Sequence, residues 1–171
     1  MVMRVALIAI LINLCTISYG QLPKNWFGHY KGELTSVNLE GKETSFGMEL
    51  IIKELTDTTY SFTIIYTGEG VKQERAYQLI SKGKGHFLMD ENNGIILDMS
   101  YGKDRLVSFF EVKGSFLHVS YILEKKGIRF ELTSSRASQK TGGTTNEGEE
   151  IPEVQSYMTI SFQYAWLKRQ K

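Results

Sequence analysis

Apolar side chains return at every second position along most of this chain, as in Phe46, Met48, Leu50 and Ile52, and again in Tyr60, Phe62, Ile64 and Tyr66. A period of two belongs to a strand with one face buried and the other in water, and it does not fit the repeat of a helix. Turn-forming clusters break the pattern at Thr67-Gly68-Glu69-Gly70, Lys82-Gly83, Glu91-Asn92-Asn93-Gly94, Gly102-Lys103, Lys113-Gly114 and Lys126-Gly127. Turns this short leave each strand only its sequence neighbour to pair with, so the chain is a meander. Strands are expected to begin near residues 26, 44, 58, 70, 84, 94, 104, 115, 127 and 154. An open sheet of about ten strands would present two long edges, and closure removes them. The predicted fold is therefore all-β: an antiparallel up-and-down meander of about ten strands closed into a barrel.

Two segments stand outside the pattern. Residues 1–20 have a basic start at Arg4, an apolar run from Val5 to Ile12 and small residues at Ser18 and Gly20, which is the pattern of a cleaved secretory signal. Asn13, Thr16 and Ser18 interrupt the run too early for a membrane-spanning helix, so the mature chain is expected to have no such span and to be exported, to a periplasm or outside the cell. Lipidation at Cys15 is the alternative, although Leu14 is bulky for that kind of cleavage. The remaining residues, 21–171, are expected to form one domain, interrupted by a mobile loop at 138–152 that has almost nothing apolar to bury. After that loop Met158, Ile160, Phe162, Tyr164 and Trp166 share one face of a segment read as a strand, with a terminal helix as the alternative.

Removing the leader leaves 19 basic and 19 acidic residues and no cysteine. A balanced charge without a basic run argues against nucleic acid as a partner, and the missing thiols exclude disulfides and thiolate metal sites from the mature domain. His86 has no second histidine at ligand spacing, so no metal is expected, and no cofactor motif is present. The glycine-lysine repeat around residues 82–86 is a hairpin and not a phosphate loop, since no helix follows it.

Chaining the turns gives each facing pair, because parity fixes which side chains share a face. Val112 opposite Ser115 places Phe110 against Leu117 and Ser108 against Val119. Across Lys126-Gly127, Leu123 meets Phe130 and Tyr121 meets Leu132. Across Gly102-Lys103, Met99 meets Leu106. The Gly68-Glu69 turn sets Tyr66 against Val71, Phe62 against Arg75 and Tyr60 against Tyr77, and the Lys82-Gly83 turn sets Leu79 against His86 and Arg75 against Asp90. An arginine and an aspartate are thus expected to face each other inside the barrel, either as a structural ion pair or as the anchor for a ligand head group. The candidate binding residues are Arg75, Asp90, Tyr77, Tyr60, Phe62, Phe110, Tyr121 and Phe130, with no catalytic residue and no nucleophile beside a base. His29, Glu111 and His118 are expected on the outer face, the last two as a surface pair.

The opening NWFGHYKGEL, residues 25–34, resembles the start of lipocalins and their calycin relatives, where a Gly-X-Trp motif begins the barrel. Lys24 stands where that family has glycine. GHFLMDENNGIILD with the later FFEV and RFEL is similar to a group of uncharacterised secreted bacterial lipocalin-like proteins. The resemblance implies that Trp26 packs at the closed end of the barrel beneath Lys168 or Arg169, and it implies a fold rather than an activity.

Together these readings favour a non-enzymatic binding protein for a small lipophilic molecule, with an anionic or carbonyl head group as the expected match for Arg75. Three alternatives remain. They are a protein-interaction or inhibitor module built on rim loops, an enzyme using Arg75, Asp90 and a tyrosine, and an outer-membrane barrel, in which Arg75 and Asp90 would face lipid.

Overall fold

A computed structural model of the protein describes residues 20–171, so the expected leader and Cys15 lie, Gly20 apart, outside the described residues. A short 3-10 turn, Lys24–Trp26, leads into ten strands that close into one barrel: β1 (Gly28–Asn38), β2 (Glu43–Thr56), β3 (Thr59–Gly68), β4 (Val71–Gly83), β5 (His86–Asp90), β6 (Ile96–Gly102), β7 (Arg105–Val112), β8 (Ser115–Glu124), β9 (Gly127–Thr141) and, after a small hairpin of β10 (Thr144–Asn146) and β11 (Glu149–Ile151), β12 (Val154–Arg169). Each barrel strand pairs with its neighbour and β12 returns to β1, so each of the ten barrel strands has a partner on both sides. The expected fold is the observed one, and the C-terminal segment is a strand.

Short turns set the registers. Glu69-Gly70, Lys84-Gly85, Lys103-Asp104 and Lys113-Gly114 all have positive φ at both residues, the type I′ conformation whose twist matches that of the flanking strands. Val112 pairs with Ser115 as expected, with Phe110 against Leu117 and Ser108 against Val119. Three other hairpins turn one residue away from the expected place, which shifts their pairing by two. Gly68 faces Val71, so Ile64 opposes Arg75 and Phe62 opposes Tyr77. Tyr101 faces Leu106. Leu123 faces Ile128, so Tyr121 opposes Phe130. A shift of two keeps every side chain on its face, so the inward set survives.

The β4–β5 hairpin departs by three, and this changes the face. The turn falls on Lys84-Gly85, and a bulge between Ser81 and Gly83 adds one unpaired residue to β4. Leu79 consequently faces Met89, and Gln78 faces Asp90. Phe87 and Met89 point into the core at 0% and 4% exposure, while His86 lies outside with its Nε2 2.7 Å from an Asp98 carboxylate oxygen.

The core fills the half of the barrel that holds the chain's entry and exit. Trp26 and Tyr30 are completely buried there, with Tyr60, Phe62, Leu79 and Phe87 above them. The Tyr30 hydroxyl donates to the Trp26 carbonyl at 2.8 Å, and the Arg169 guanidinium lies over the Tyr30 ring, 4.7 Å from its centroid. Arg169 also donates to the carbonyls of Phe27, at 2.6 Å, and Asn25. Of the two basic residues the resemblance implied, Arg169 is the one at the closed end, and it stacks on Tyr30 rather than on the indole. Gly32 is required where β12 crosses, because a Cβ there would overlap the Trp166 carbonyl.

The segment expected as a mobile loop carries regular pairing. β9 continues to Thr141 against β12, and β10 pairs with β11. Ladder hydrogen bonds need no apolar side chain, which is why a polar composition concealed them. Phe162, Tyr164 and Trp166 do share a face, and it is the outer one, 43–45% exposed. His118 is likewise outward, stacked on Phe109 with ring centroids 4.5 Å apart rather than paired with Glu111. The outer wall also carries the ion pairs Lys31–Glu49 and Arg129–Glu124, which suit water and not lipid hydrocarbon. Among the described residues no helix is long and apolar enough to cross a membrane.

Candidate functional site: the upper chamber of the barrel

Above the packed half, the inward side chains of β3 to β9 leave a cavity of about 110 Å³. Its apolar walls come from Ile64, Met89, Leu97, Met99, Phe110, Val119, Phe130 and Leu132, and its polar groups from Tyr66, Arg75, Tyr77, Glu91, Ser108 and Tyr121. Tyr66, Arg75 and Leu132 also border a wider mouth of about 440 Å³, lined further by Gln73, Ser134, Ser161 and Gln163 and by Leu34, Phe46 and Leu117. These three residues form a collar between an apolar chamber and a vestibule of mixed polarity.

The collar is reachable because the wall is low on one side. β5 pairs with β4 only as far as Gln78–Asp90, so the first half of β4 faces the 91–95 loop instead of a strand. Asn92 bridges the gap by donating from Nδ2 to the Ala76 carbonyl at 2.5 Å. Arg75, Tyr77 and Glu91 line this lateral notch as well as the chamber.

Arg75 is more than a third exposed, and no carboxylate oxygen among the described residues lies within 4.0 Å of its guanidinium. Its contacts are the Tyr77 hydroxyl at 3.5 Å, a long hydrogen bond that it donates, and the Tyr66 ring, 5.4 Å from the guanidinium carbon to the centroid. Burial pulls the Arg75 pKa down, but the bond to Tyr77 and the neighbouring Tyr66 and Glu91 outweigh it, so the group is firmly cationic. Glu91 faces the same chamber, and one of its oxygens accepts a hydrogen bond from Asn93 Nδ2 at 3.1 Å. Deeper in, burial pushes the Tyr121 hydroxyl well above its ordinary range, and it raises Tyr66 as well, with Arg75 opposing. All three groups keep their neutral-pH charge state: a cation at the collar and two protonated phenols around it.

Of the eight residues expected at a site, five line the chamber: Arg75, Tyr77, Phe110, Tyr121 and Phe130. Phe62 and Tyr60 belong to the packed floor. Phe62 is fully buried and meets Tyr121 edge-on at 5.0 Å, while the Tyr60 hydroxyl accepts the Leu22 N–H and donates to the Asp57 carbonyl, both at 3.1 Å. Asp90 is corrected. It points outward, accepts the Asn92 N–H at 2.8 Å and does not pair with Arg75, because the bulge in β4 reversed the faces of β5. The same reversal brings Glu91, which the sequence reading passed over, to the chamber. The trio of Arg75, Asp90 and a tyrosine needed for acid–base chemistry is therefore not assembled.

Together the closed meander, the capped end and the open upper chamber give the chain a lipocalin-like barrel fold. No family model and no curated protein sequence matches the chain. Solved structures do. An S-type phycobiliprotein lyase, CpeS, from Guillardia theta superposes with a TM-score of 0.59 at 7% identity, over 86% of this chain and 89% of its own. A protein of unknown function from the DUF3598 family of Nostoc punctiforme gives 0.57 at 9% identity over 90% of this chain, which spans only about half, 51%, of that protein. Rv2717c from M. tuberculosis gives 0.54 at 12% identity, over 86% and 94% of the two chains. At such identities the likeness is one of fold.

Proposed function

We propose that this chain is an exported, non-enzymatic binding protein that holds one small lipophilic molecule in the upper chamber, with an anionic or carbonyl head group at Arg75. The observation that carries the reading is a cation without a carboxylate partner at the throat of an otherwise apolar cavity. A guanidinium in such a place offers a planar, directional set of donors to a carboxylate or carbonyl oxygen, and the walls below accept the apolar remainder. Its partial exposure lets it wait for a ligand in contact with water at little cost to folding.

Native mass spectrometry of protein purified without detergent tests the reading, together with calorimetric titration of a short branched carboxylate, 4-methylpentanoate, whose size suits the chamber. Retained mass or measurable binding in the wild type, lost in Arg75→Gln, is the expected result. A protein that carries no added mass and binds no such carboxylate refutes it.

A further inference from the structure

The size and the second charge of the chamber narrow the ligand class, on the premise that the chamber binds a ligand at all. A dry cavity of about 150 Å³ accepts one benzene molecule, so about 110 Å³ accepts roughly four carbon atoms. The floor below is closed by the side chains of Phe62 and Tyr60, at 0% and 1% exposure, and gives no room for a longer tail. The other direction leads past the collar into a wider vestibule whose wall mixes Leu34, Phe46 and Leu117 with Gln73, Ser134, Ser161 and Gln163, so a chain extending there would be only half matched in polarity. A long-chain lipid would leave most of its tail in that mixed vestibule, whereas a compact ligand is enclosed by the chamber alone.

The collar also carries both signs of charge. Arg75 and Glu91 line the same chamber and the same notch, yet they do not meet within salt-bridge distance. A purely anionic ligand would satisfy Arg75 and be repelled by Glu91, and a purely cationic one would meet the reverse. A group presenting an acceptor and a donor side by side satisfies both, and an α-amino acid backbone does so with a carboxylate next to an ammonium. Apolar walls beneath the pair suit an aliphatic side chain.

We propose that the chamber binds a compact zwitterion, a free α-amino acid with an apolar side chain of about four carbons, its carboxylate on Arg75, its ammonium on Glu91 and its side chain among Ile64, Leu97, Phe110 and Phe130. Isothermal titration calorimetry with four probes tests this: leucine, 4-methylpentanoate, which lacks the ammonium, 3-methylbutylamine, which lacks the carboxylate, and dodecanoate. Leucine should bind about tenfold or more tighter than either single-charge analogue. Glu91→Gln should weaken leucine by about tenfold and leave 4-methylpentanoate unchanged or improved, whereas Arg75→Gln should weaken both acids. Both substitutions lie at the partly exposed collar, and unchanged thermal midpoints will verify that each variant is folded. Equal binding of leucine and 4-methylpentanoate, or indifference of leucine to Glu91→Gln, overturns the zwitterion. Preferential binding of dodecanoate overturns the ligand class and leaves a ligand-binding barrel standing. A chamber that takes none of the four probes, in a protein that carries no added mass, removes both readings.

Discussion

Replacing Arg169 by alanine tests how the barrel is closed. Its guanidinium donates to the Phe27 carbonyl at 2.6 Å, to the Asn25 carbonyl and to the Tyr30 hydroxyl, and it lies 4.7 Å from the Tyr30 ring centroid. Each charge-assisted bond has a net value of about 1.5–3 kcal/mol when shielded, and the ring contact about 0.5–1 kcal/mol. The side chain is only partly buried, so water replaces much of what is lost at the two carbonyls, and a total near 2–3 kcal/mol is the realistic outcome. For a domain of this size that corresponds to a fall of about 5–10 °C in the unfolding midpoint. Calorimetry of Arg169→Ala, Tyr30→Phe and the double variant separates the terms, and the pair should be coupled by about 1 kcal/mol. Arg169→Lys should recover less than half of the loss, because an ammonium cannot reach both carbonyls with fixed forks. Hydrogen exchange at Trp26 and Phe27, whose N–H groups bond to the Pro23 and Lys24 carbonyls, should accelerate in the alanine variant. A midpoint within 1 °C of wild type (on the order of experimental error, about 0.5 kcal/mol) would mean that Trp26 and Tyr30 hold the end without the arginine.

Deleting Lys82, the extra residue of the β4 bulge, would turn Phe87 and Met89 outward or force the ladder to break; we expect insoluble protein or a loss of about 3–5 kcal/mol, measured by urea unfolding. Burial raises the pKa values of Tyr30, Tyr60, Tyr66, Tyr101 and Tyr121, so the unfolded chain releases these protons first. Their contribution to stability is complete below the unfolded value of about 10 and is lost as pH rises through the folded values. An absorbance titration near 295 nm (about the tyrosinate band) should accordingly show a late, cooperative ionisation coincident with unfolding. Replacing residues 143–153 by a short glycine turn removes exposed side chains only, and should leave the thermal midpoint within about 2 °C. Arg75→Met should leave stability within about 0.5 kcal/mol of wild type or raise it, since no carboxylate partner is stranded; a large loss would mean that the arginine is structural.

The alternation of apolar residues made the meander, its closure and most of the inward face legible, because parity is a property of the chain itself. Registers were less secure, since Gly68-Glu69-Gly70 and Gly102-Lys103-Asp104 each offer more than one place to turn. Errors of two residues there were harmless to the face. The Ser-Lys-Gly-Lys-Gly stretch at 81–85 offers two equivalent lysine-glycine turns, and with regular pairing either of them puts His86 and Asp90 inside, so the reversal rests on the bulge alone. The side chains themselves contained the remedy: Phe87 and Met89 are a better core pair than His86 and Asp90, and a bulge is the simplest way to bring them in. Depth was not legible at all. Parity told that Tyr60, Phe62, Tyr77 and Phe110 point inward, but only the closed geometry separates the floor, where Phe62 is fully buried, from the chamber that Tyr77 and Phe110 line.

The uneven lengths of the strands connect the fold to the site. β2, β4, β9 and β12 run for 13 to 16 residues, whereas β5, β6 and β7 have five, seven and eight. A wall of even height would have covered the first half of β4 and enclosed Arg75 without a counter-charge, a placement that costs several kcal/mol, about the whole margin of an average domain's tolerance. The short strands instead leave that half of β4 beside a loop, so an inward-pointing arginine remains in contact with water. The same truncation ends β5 at Asp90 and allows Glu91, the next residue, to reach the chamber from the loop. The opposed charges of the collar thus follow from two features, the bulge that turns the Phe87, Met89 and Glu91 face inward and a wall that stops early. A ligand entering by the notch would meet Arg75 and Glu91 before any apolar surface, so its polar end would be read before its apolar end is enclosed.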